Sequence, residues 1–263
     1  MQFYLQRVLQ MSDKWRLILT GHNSAFYNMA LDEAIMKLSH EQGVPTVRFY
    51  GWKPAAISIG YFQGMNDEVD IEKCGEFGVD VVRRITGGGA VFHDSEVTYS
   101  FVATEESNVL PKNILDSYKK ICSGVISGLG ELKLDASFVP LNDIVVAGKK
   151  ISGNAQTRRE KAILQHGTVL TGVDVEKMFS MLKVPSEKMK GKLIEDVKQR
   201  VTSIEQQAGK KISFEQTVFA MKKGFEESFG VGLKESKPTK EEAQLAKQIM
   251  GERFASDTWN FRR

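Results

Sequence analysis

The stretch "RRITGGGAVFHD", Arg83–Asp94, sets three consecutive glycines between a basic pair and an aromatic-His-Asp run. "VDVVRRI" (79–85) leads into it and "EVTYSFVAT" (96–104) leaves it, and both carry the β-branched and aromatic content of strands. A strand-to-strand glycine loop is neither GxxxxGK[ST] nor a GxGxxG that opens a helix, so neither standard phosphate loop is present. Bare backbone does let a ligand lie against N–H groups without Cβ interference. Arg83 and Arg84 offer charge for a carboxylate or phosphate, and strand alternation would turn one of them to the ligand. Two readings stand at this point: a hairpin that only turns the chain, or a ligand loop.

Outward from the loop the pattern is mixed. "SAFYNMALDEAIMKLSHEQG" (24–43) spaces Phe26, Met29, Ala30, Ala34 and Leu38 as an amphipathic helix, with Ser24 as its cap and Gly43 at its end. "TVRFYGW" (46–52) and "AAISIGYF" (55–62) read as strands, the second also as a candidate wall for a fatty chain. A helix is predicted from about Asn113 to Leu132. After it come a short strand "DIVVAG" (143–148), the segment "KKISGNAQ" (149–156) and the strand "AILQHGTVL" (162–170). From about Asp174 the chain turns mainly helical, with "FEQTVFAMKKGFEESF" (214–229) and "KEEAQLAKQIMGERF" (240–254) each apolar on one face. The fold class is α/β (α+β), with a helical end packed on it.

Composition narrows the function classes. The 263 residues carry 36 Lys+Arg against 33 Asp+Glu, a net +3 spread along the chain, which makes no case for nucleic acid. Two cysteines, Cys74 and Cys122, without a Cys/His cluster fit a reducing cytosol and argue against disulfides or structural zinc. No apolar run approaches the roughly 18 residues of a membrane span. The first residues lack a signal-peptide core, so a cytoplasmic protein is expected. Residues 1–14 read as an extension, and Met11 is a second possible start.

Further polar interruptions of core-like sequence accompany the glycine loop: Asn142-Asp143, Lys149-Lys150 before Ser152-Gly153, and His166-Gly167 inside an apolar run. "RRITGGGAVFHD", "LNDIVVAGKKISGNAQ" and "LQHGTVL" together resemble the lipoate-protein ligase and octanoyltransferase superfamily, from about Trp15 to "ASDTWNF" (255–261). The resemblance implies a single catalytic domain over 1–263, with mixed, mainly antiparallel sheets flanked by helices as in biotin-protein ligases. Many single-chain lipoate ligases carry a separate C-terminal accessory domain; this sequence ends near where it would begin, so none is expected here.

The branches of that superfamily differ in chemistry. Its ligases activate lipoate with ATP to lipoyl-AMP; its octanoyltransferases move octanoate from acyl carrier protein through a thioester on their own cysteine. "FHDSEVTYSF", "GNAQTRR" and "ASDTWNF" resemble the Gram-positive cysteine octanoyltransferases, and "HDSEV" stands where ligases usually read "HDLGN". Yet "LDASFVPLNDIVVAGKK" (134–150) holds no cysteine where those transferases carry theirs, Cys122 sits at a core spacing of its helix, Cys74 reads as a surface-turn residue, and Ser137 has no evident base. "LND" resembles the ligase Asn-Asp instead.

The expectation is therefore an ATP-dependent lipoate-protein ligase, with an octanoyltransferase or a non-catalytic lipoyl-domain binding subunit as alternatives. By resemblance, Lys150 rather than Lys149 is the catalytic lysine. Gly87, Gly88 and Gly89 line the acyl and phosphate junction, and Arg84, with Arg83 beside it, binds the adenylate. Asn142 and Asp143 face the nucleotide, Asp143 as an oxygen ligand of Mg²⁺. Ser152, Gly153, His93, His166 and Gly167 complete the ligand contacts. ATP, Mg²⁺ and lipoate are the implied cofactors and substrates. An acceptor lipoyl domain or a glycine-cleavage H-like protein is the implied partner, with a separate accessory ligase subunit as a further one; no nucleic acid and no membrane are expected.

Overall fold

The computed structural model describes residues 14–184 and 186–262, so the N-terminal extension and Met11 lie outside it, apart from Lys14. Eleven strands form among the described residues: β1 Lys14–Asn23, β2 Thr46–Trp52, β3 Ala56–Ile59, β4 Asp80–Arg83, β5 Val91–His93, β6 Glu96–Thr104, β7 Ala136–Val139, β8 Asp143–Val146, β9 Lys149–Arg159, β10 Ala162–Leu170 and β11 Gly232–Ser236. Eight make one sheet in the order β11-β1-β2-β6-β10-β9-β8-β7; three make a small sheet, β4-β3-β5. Pairing is antiparallel except for β1 with β2, β1 with β11, and β3 with β4.

The long helices are α1 Ala25–Lys37, α2 Ile114–Glu131, α3 Glu187–Arg200, α4 Phe214–Phe229 and α5 Lys240–Ile249. Their starts obey local chemistry: Ser24, Asn113, Ser213 and Thr239 each accept from a backbone N–H three residues on, and the last two close full capping boxes. None is long and apolar enough to cross a membrane.

Strand alternation splits the large sheet into two faces. Val47 and Phe49 of β2 with Val97, Tyr99 and Phe101 of β6 join Ile121 and Val125 of α2 and Met221 and Phe225 of α4 in one core. Gly224 lets α4 touch α2, because a Cβ there would lie 2.2 Å from the Gly128 nitrogen. On the opposite face Tyr50, Trp52, Val102 and Leu164 pack with Met29 and Ile35 of α1 and with Ala246 and Ile249 of α5. The small sheet has its own core of Ile57, Ile59, Met65, Val69, Cys74 and Val79.

The structure changes several local expectations. "KKISGNAQ" is not a connector but the first part of β9, paired with both β8 and β10. β1 and β11 form a parallel pair 218 positions apart at Lys14 and Gly232, which no local pattern announces. Ile57 and Ile59 point into the small-sheet core, so of the fatty-chain wall expected on "AAISIGYF" only Ser58 reaches the cavity between the two sheets. Cys74 is no surface residue; it is 1% exposed in the short helix Ile71–Glu76.

Candidate active site

A cavity of about 330 Å³ lies over the α1-side face of the large sheet, roofed by the small sheet and the glycine loop. Strand registry gives its direction. Thr168 of β10 stands opposite Thr98 of β6, and Thr98 opposite Tyr50 of β2. Gly153 of β9 continues the row, its N–H meeting Thr168 Oγ1 at 3.5 Å. With neighbouring strands spaced about 4.8 Å apart, the row from Gly153 to Tyr50 spans roughly 14 Å.

Lys150 stands at the β9 end. Its ammonium is 2.7 Å from Asp143 Oδ1 on β8, and its side chain is 42% exposed. The bulge between Ile144 and Val145 sets this register, and the Lys150 carbonyl accepts from Thr202 N–H at 2.8 Å. Gly153 leaves the space the lysine occupies: a Cβ there would meet Lys150 Cε at 2.9 Å. Asn142, beside the same end, donates to the Asn154 carbonyl at 2.6 Å, and Asn154 returns a bond to the Asn142 carbonyl at 2.9 Å.

The β2 end is polar and aromatic. Trp52 lies flat on His93, ring centroids 3.9 Å apart, and donates its indole N–H to Glu96 Oε1 and Thr98 Oγ1. Glu96 Oε1 also accepts a hydrogen bond from His93 Nδ1–H at 2.8 Å, which leaves His93 Nε2 to accept from Ser58 Oγ at 2.8 Å. Arg84 donates to Ser58 Oγ and to the carbonyls of Ser58, Gly87 and Gly89, tying the glycine loop to β3. Burial pulls the Arg84 guanidinium down to about 10.

Between the two ends runs a second polar row, Ala155–His166–Ser100–Arg48. Asp32 of α1 reaches onto it, accepting from Arg48 at 2.7 Å and from Ser100 and Tyr50 at 2.8 Å each. Burial alone would raise this carboxyl, but Arg48, His166 and Ser100 hold it below its ordinary range. His166 bonds Thr86 Oγ1 through Nε2 at 2.7 Å, with Nδ1 3.4 Å from Asp32; burial pushes the imidazole below its ordinary value against the pull of Asp32.

Of the residues singled out in the sequence, Lys150, Gly153 and Asn142 line the cavity at the β9 end. Arg84, Gly88, Gly89 and His93 line it under the small sheet, and His166 and Gly167 along its floor. Asp143 reaches it through Lys150. Gly87 and the fully buried Ser152 do not line it, and neither does Arg83. The Arg83 guanidinium turns the other way and donates to the carbonyls of Gly60, Tyr61, Gln63, Trp259, Asn260 and Arg262.

The sequence reading missed Asp32, Tyr50, Trp52, Ser58 and Glu96. Asp32 carried a signal, a carboxylate on the same helical face as Met29 and Met36; Tyr50 and Trp52 look like ordinary core.

Comparison with known proteins bears on the chemistry. The model of the lipoyl protein ligase A/B catalytic domain matches residues 24–226. Octanoyltransferase LipM of Brevibacillus brevis is 39% identical over 95% of this chain and 100% of its own length; that of Bacillus subtilis is 34% identical over 95% and 99%. Among solved structures, a bi-partite lipoate protein ligase from Thermoplasma acidophilum superposes with a TM-score of 0.87 at 30% identity, over 95% of this chain and 98% of that one. The sequence expectation for the architecture, mixed sheets flanked by helices, agrees with this fold.

The expectation of an ATP-dependent, adenylate-forming ligase is corrected by these likenesses. Relatives aligned end to end with this chain are octanoyltransferases, so ATP, Mg²⁺ and a lipoyl-AMP intermediate are dropped. The residues fit a metal poorly as well. Asp143, the expected ligand, is already neutralised by Lys150, and among the described residues no group of three His, Cys, Asp or Glu side chains could hold a metal ion.

Proposed function

We propose, from the premise that this chain belongs to the lipoyl protein ligase A/B catalytic-domain family, that it is an octanoyltransferase. It takes an octanoyl group from a carrier-protein thioester and forms an amide on the lysine of an acceptor lipoyl domain. The observation that carries this reading is end-to-end similarity to octanoyltransferases joined to a cavity with one lysine at its open end.

The cavity has room for an extended eight-carbon chain, running from β9 over β10 toward β6 with its carbonyl beside Lys150. Met178, Val197 and Val201 supply apolar cover near that end and Leu170 along the floor. When an amine adds to the thioester carbonyl, negative charge grows on oxygen, and the Lys150 ammonium stands ready to meet it. A fixed electrostatic contact of this kind is worth about 10²–10³ in rate. Asp143 keeps the lysine folded over Gly153 before substrate arrives, so little reorganisation is needed. His166, Arg84, Gly88 and Gly89 shape the cavity, and His93 fixes Trp52 at its far end. Two unpaired cysteines suit work in a reducing cytosol.

The test is the intact mass of an apo lipoyl domain incubated with the enzyme and octanoyl-acyl carrier protein, without ATP. An octanoyl increment on the acceptor lysine is the expected result. An unmodified acceptor at enzyme concentrations that exhaust the donor would refute the reading.

A further inference from the structure

Tyr99 of β6 does not line the cavity. It is fully buried in the core shared with α2 and α4, its ring centroid 5.5 Å from that of Phe225. Its hydroxyl nevertheless points toward the active-site strands. It donates to Asn154 Oδ1 at 2.6 Å and accepts from Gln165 Nε2 at 2.7 Å. Burial pushes the phenol well above its ordinary value, so the proton stays in place as the donor.

Tyr99 and Asn154 stand two strands apart, roughly 10 Å between backbones. Gly167 of β10 lies between them in register, opposite both. The side chains meet because that position carries none: a Cβ on Gly167 would lie 2.0 Å from Asn154 Oδ1 and 2.7 Å from Tyr99 Cε1. The glycine of "LQHGTVL" therefore makes room for a bond between strands as well as forming part of the cavity floor.

From Asn154 the connection continues to the lysine. With Oδ1 taken by Tyr99, Asn154 Nδ2 donates to the Asn142 carbonyl at 2.9 Å, and the Asn154 backbone N–H donates to the same oxygen at 3.0 Å. Asn142 Nδ2 returns a bond to the Asn154 carbonyl at 2.6 Å. These bonds fix the start of β8, from which the next residue, Asp143, reaches the Lys150 ammonium at 2.7 Å. The Tyr99 proton decides which end of the Asn154 amide faces which partner. Without it Oδ1 is a buried acceptor lacking a donor, and the amide gains by turning away from Asn142.

We propose that Tyr99 is a positioning residue for acyl transfer: through Asn154 and Asn142 it sets where Asp143 holds the Lys150 ammonium. The inference rests on the octanoyltransferase reading above. Lys150 meets charge that develops on the carbonyl oxygen, and such a contact depends on placement, a shift of about 1 Å costing about 10² in rate. The acyl chain binds elsewhere along the cavity, so the effect falls on kcat rather than KM.

The experiment is steady-state octanoyl transfer from octanoyl-acyl carrier protein to an apo lipoyl domain, without ATP. Tyr99→Phe, which removes one oxygen and keeps the ring, is measured alone and combined with Lys150→Ala, each well below its melting temperature. The single variant should lose about 10–10² in kcat with the donor KM within about twofold of wild type. Combined with Lys150→Ala it should cost nothing further, because the group it positions is gone. Asn154→Ala should give the same pattern, and it carries the test if Tyr99→Phe does not fold. Unchanged kcat in Tyr99→Phe would overturn the inference, leaving the hydroxyl a feature of stability alone. So would an equal further loss on the Lys150→Ala background, which would have Tyr99 act by another route; octanoyl transfer itself survives either result. A wild-type enzyme that transfers no octanoyl group would remove the transfer reading, and this inference with it.

Discussion

At the scale of single residues, strand alternation gives Lys149 and Lys150 opposite outlooks. Lys149 is exposed and does not line the cavity, whereas Lys150 folds over Gly153 toward Asp143. The same alternation separates Arg84, at the cavity, from Arg83, behind it. Lys150→Ala should lower octanoyl transfer by about 10²–10³. Its melting temperature should hardly move, because a 42%-exposed ion pair contributes little to folding, about 0–1 kcal/mol. Gly153→Ala is the sharper test, since its new Cβ would meet only the far end of a flexible side chain. The backbone can stay while the ammonium moves. Loss of kcat toward the Lys150→Ala level, with stability kept within about 1 kcal/mol, is expected from steady-state rates and thermal melts. Normal kcat in Gly153→Ala would mean that the position of Lys150 does not matter.

At the scale of elements, period and capping made the helices legible: α4 covers the predicted 214–229 without a residue of difference, and α2 falls within one residue of 113–132 at each end. β9 was not legible as a strand over "KKISGNAQ", because its Gly, Asn and Gln obey the needs of the cavity and the α2 contact rather than strand propensity. Nor was the docking of the chain's end. Trp259 and Asn260 of the short helix Asp257–Asn260 bracket Arg83, whose backbone N–H donates to Asn260 Oδ1 at 2.9 Å and whose carbonyl accepts from the Trp259 indole at 2.8 Å. Arg262 stacks between Trp259 and Tyr61. Deleting residues 257–263 strips a buried guanidinium of three carbonyl partners. The expected loss is about 3 kcal/mol, or roughly 6–12 °C in Tm. Adding Arg83→Met to the truncated chain should recover part of that loss, because the stranded charge is gone. Purely additive effects in this double-mutant cycle would disprove the coupling.

At the scale of the whole molecule, one buried network joins elements far apart in sequence: Asp32 on α1, Arg48 and Tyr50 on β2, Ser100 on β6 and His166 on β10. It makes the floor of the cavity part of the folding unit, so acid should act on both together. Burial holds His166 below its ordinary value near 6.5, so the unfolded chain takes up this proton at higher pH than the folded one. Stability is therefore fully present above about pH 6.5 and falls as pH drops through the window below it, by at most about 1.4 kcal/mol per pH unit for one proton. Asp32, held below 3.8 chiefly by Arg48 in opposition to its burial, adds a second loss that begins only under that pH. Thermal melts from pH 8 to pH 4 should thus stay level, then decline from about pH 6.5. In His166→Gln, which keeps a polar side chain but cannot titrate, Tm at neutral pH should be lower and this first decline should disappear. A decline of undiminished slope in that variant would assign the acid sensitivity to another group and leave the Asp32–His166 contact without a role in it.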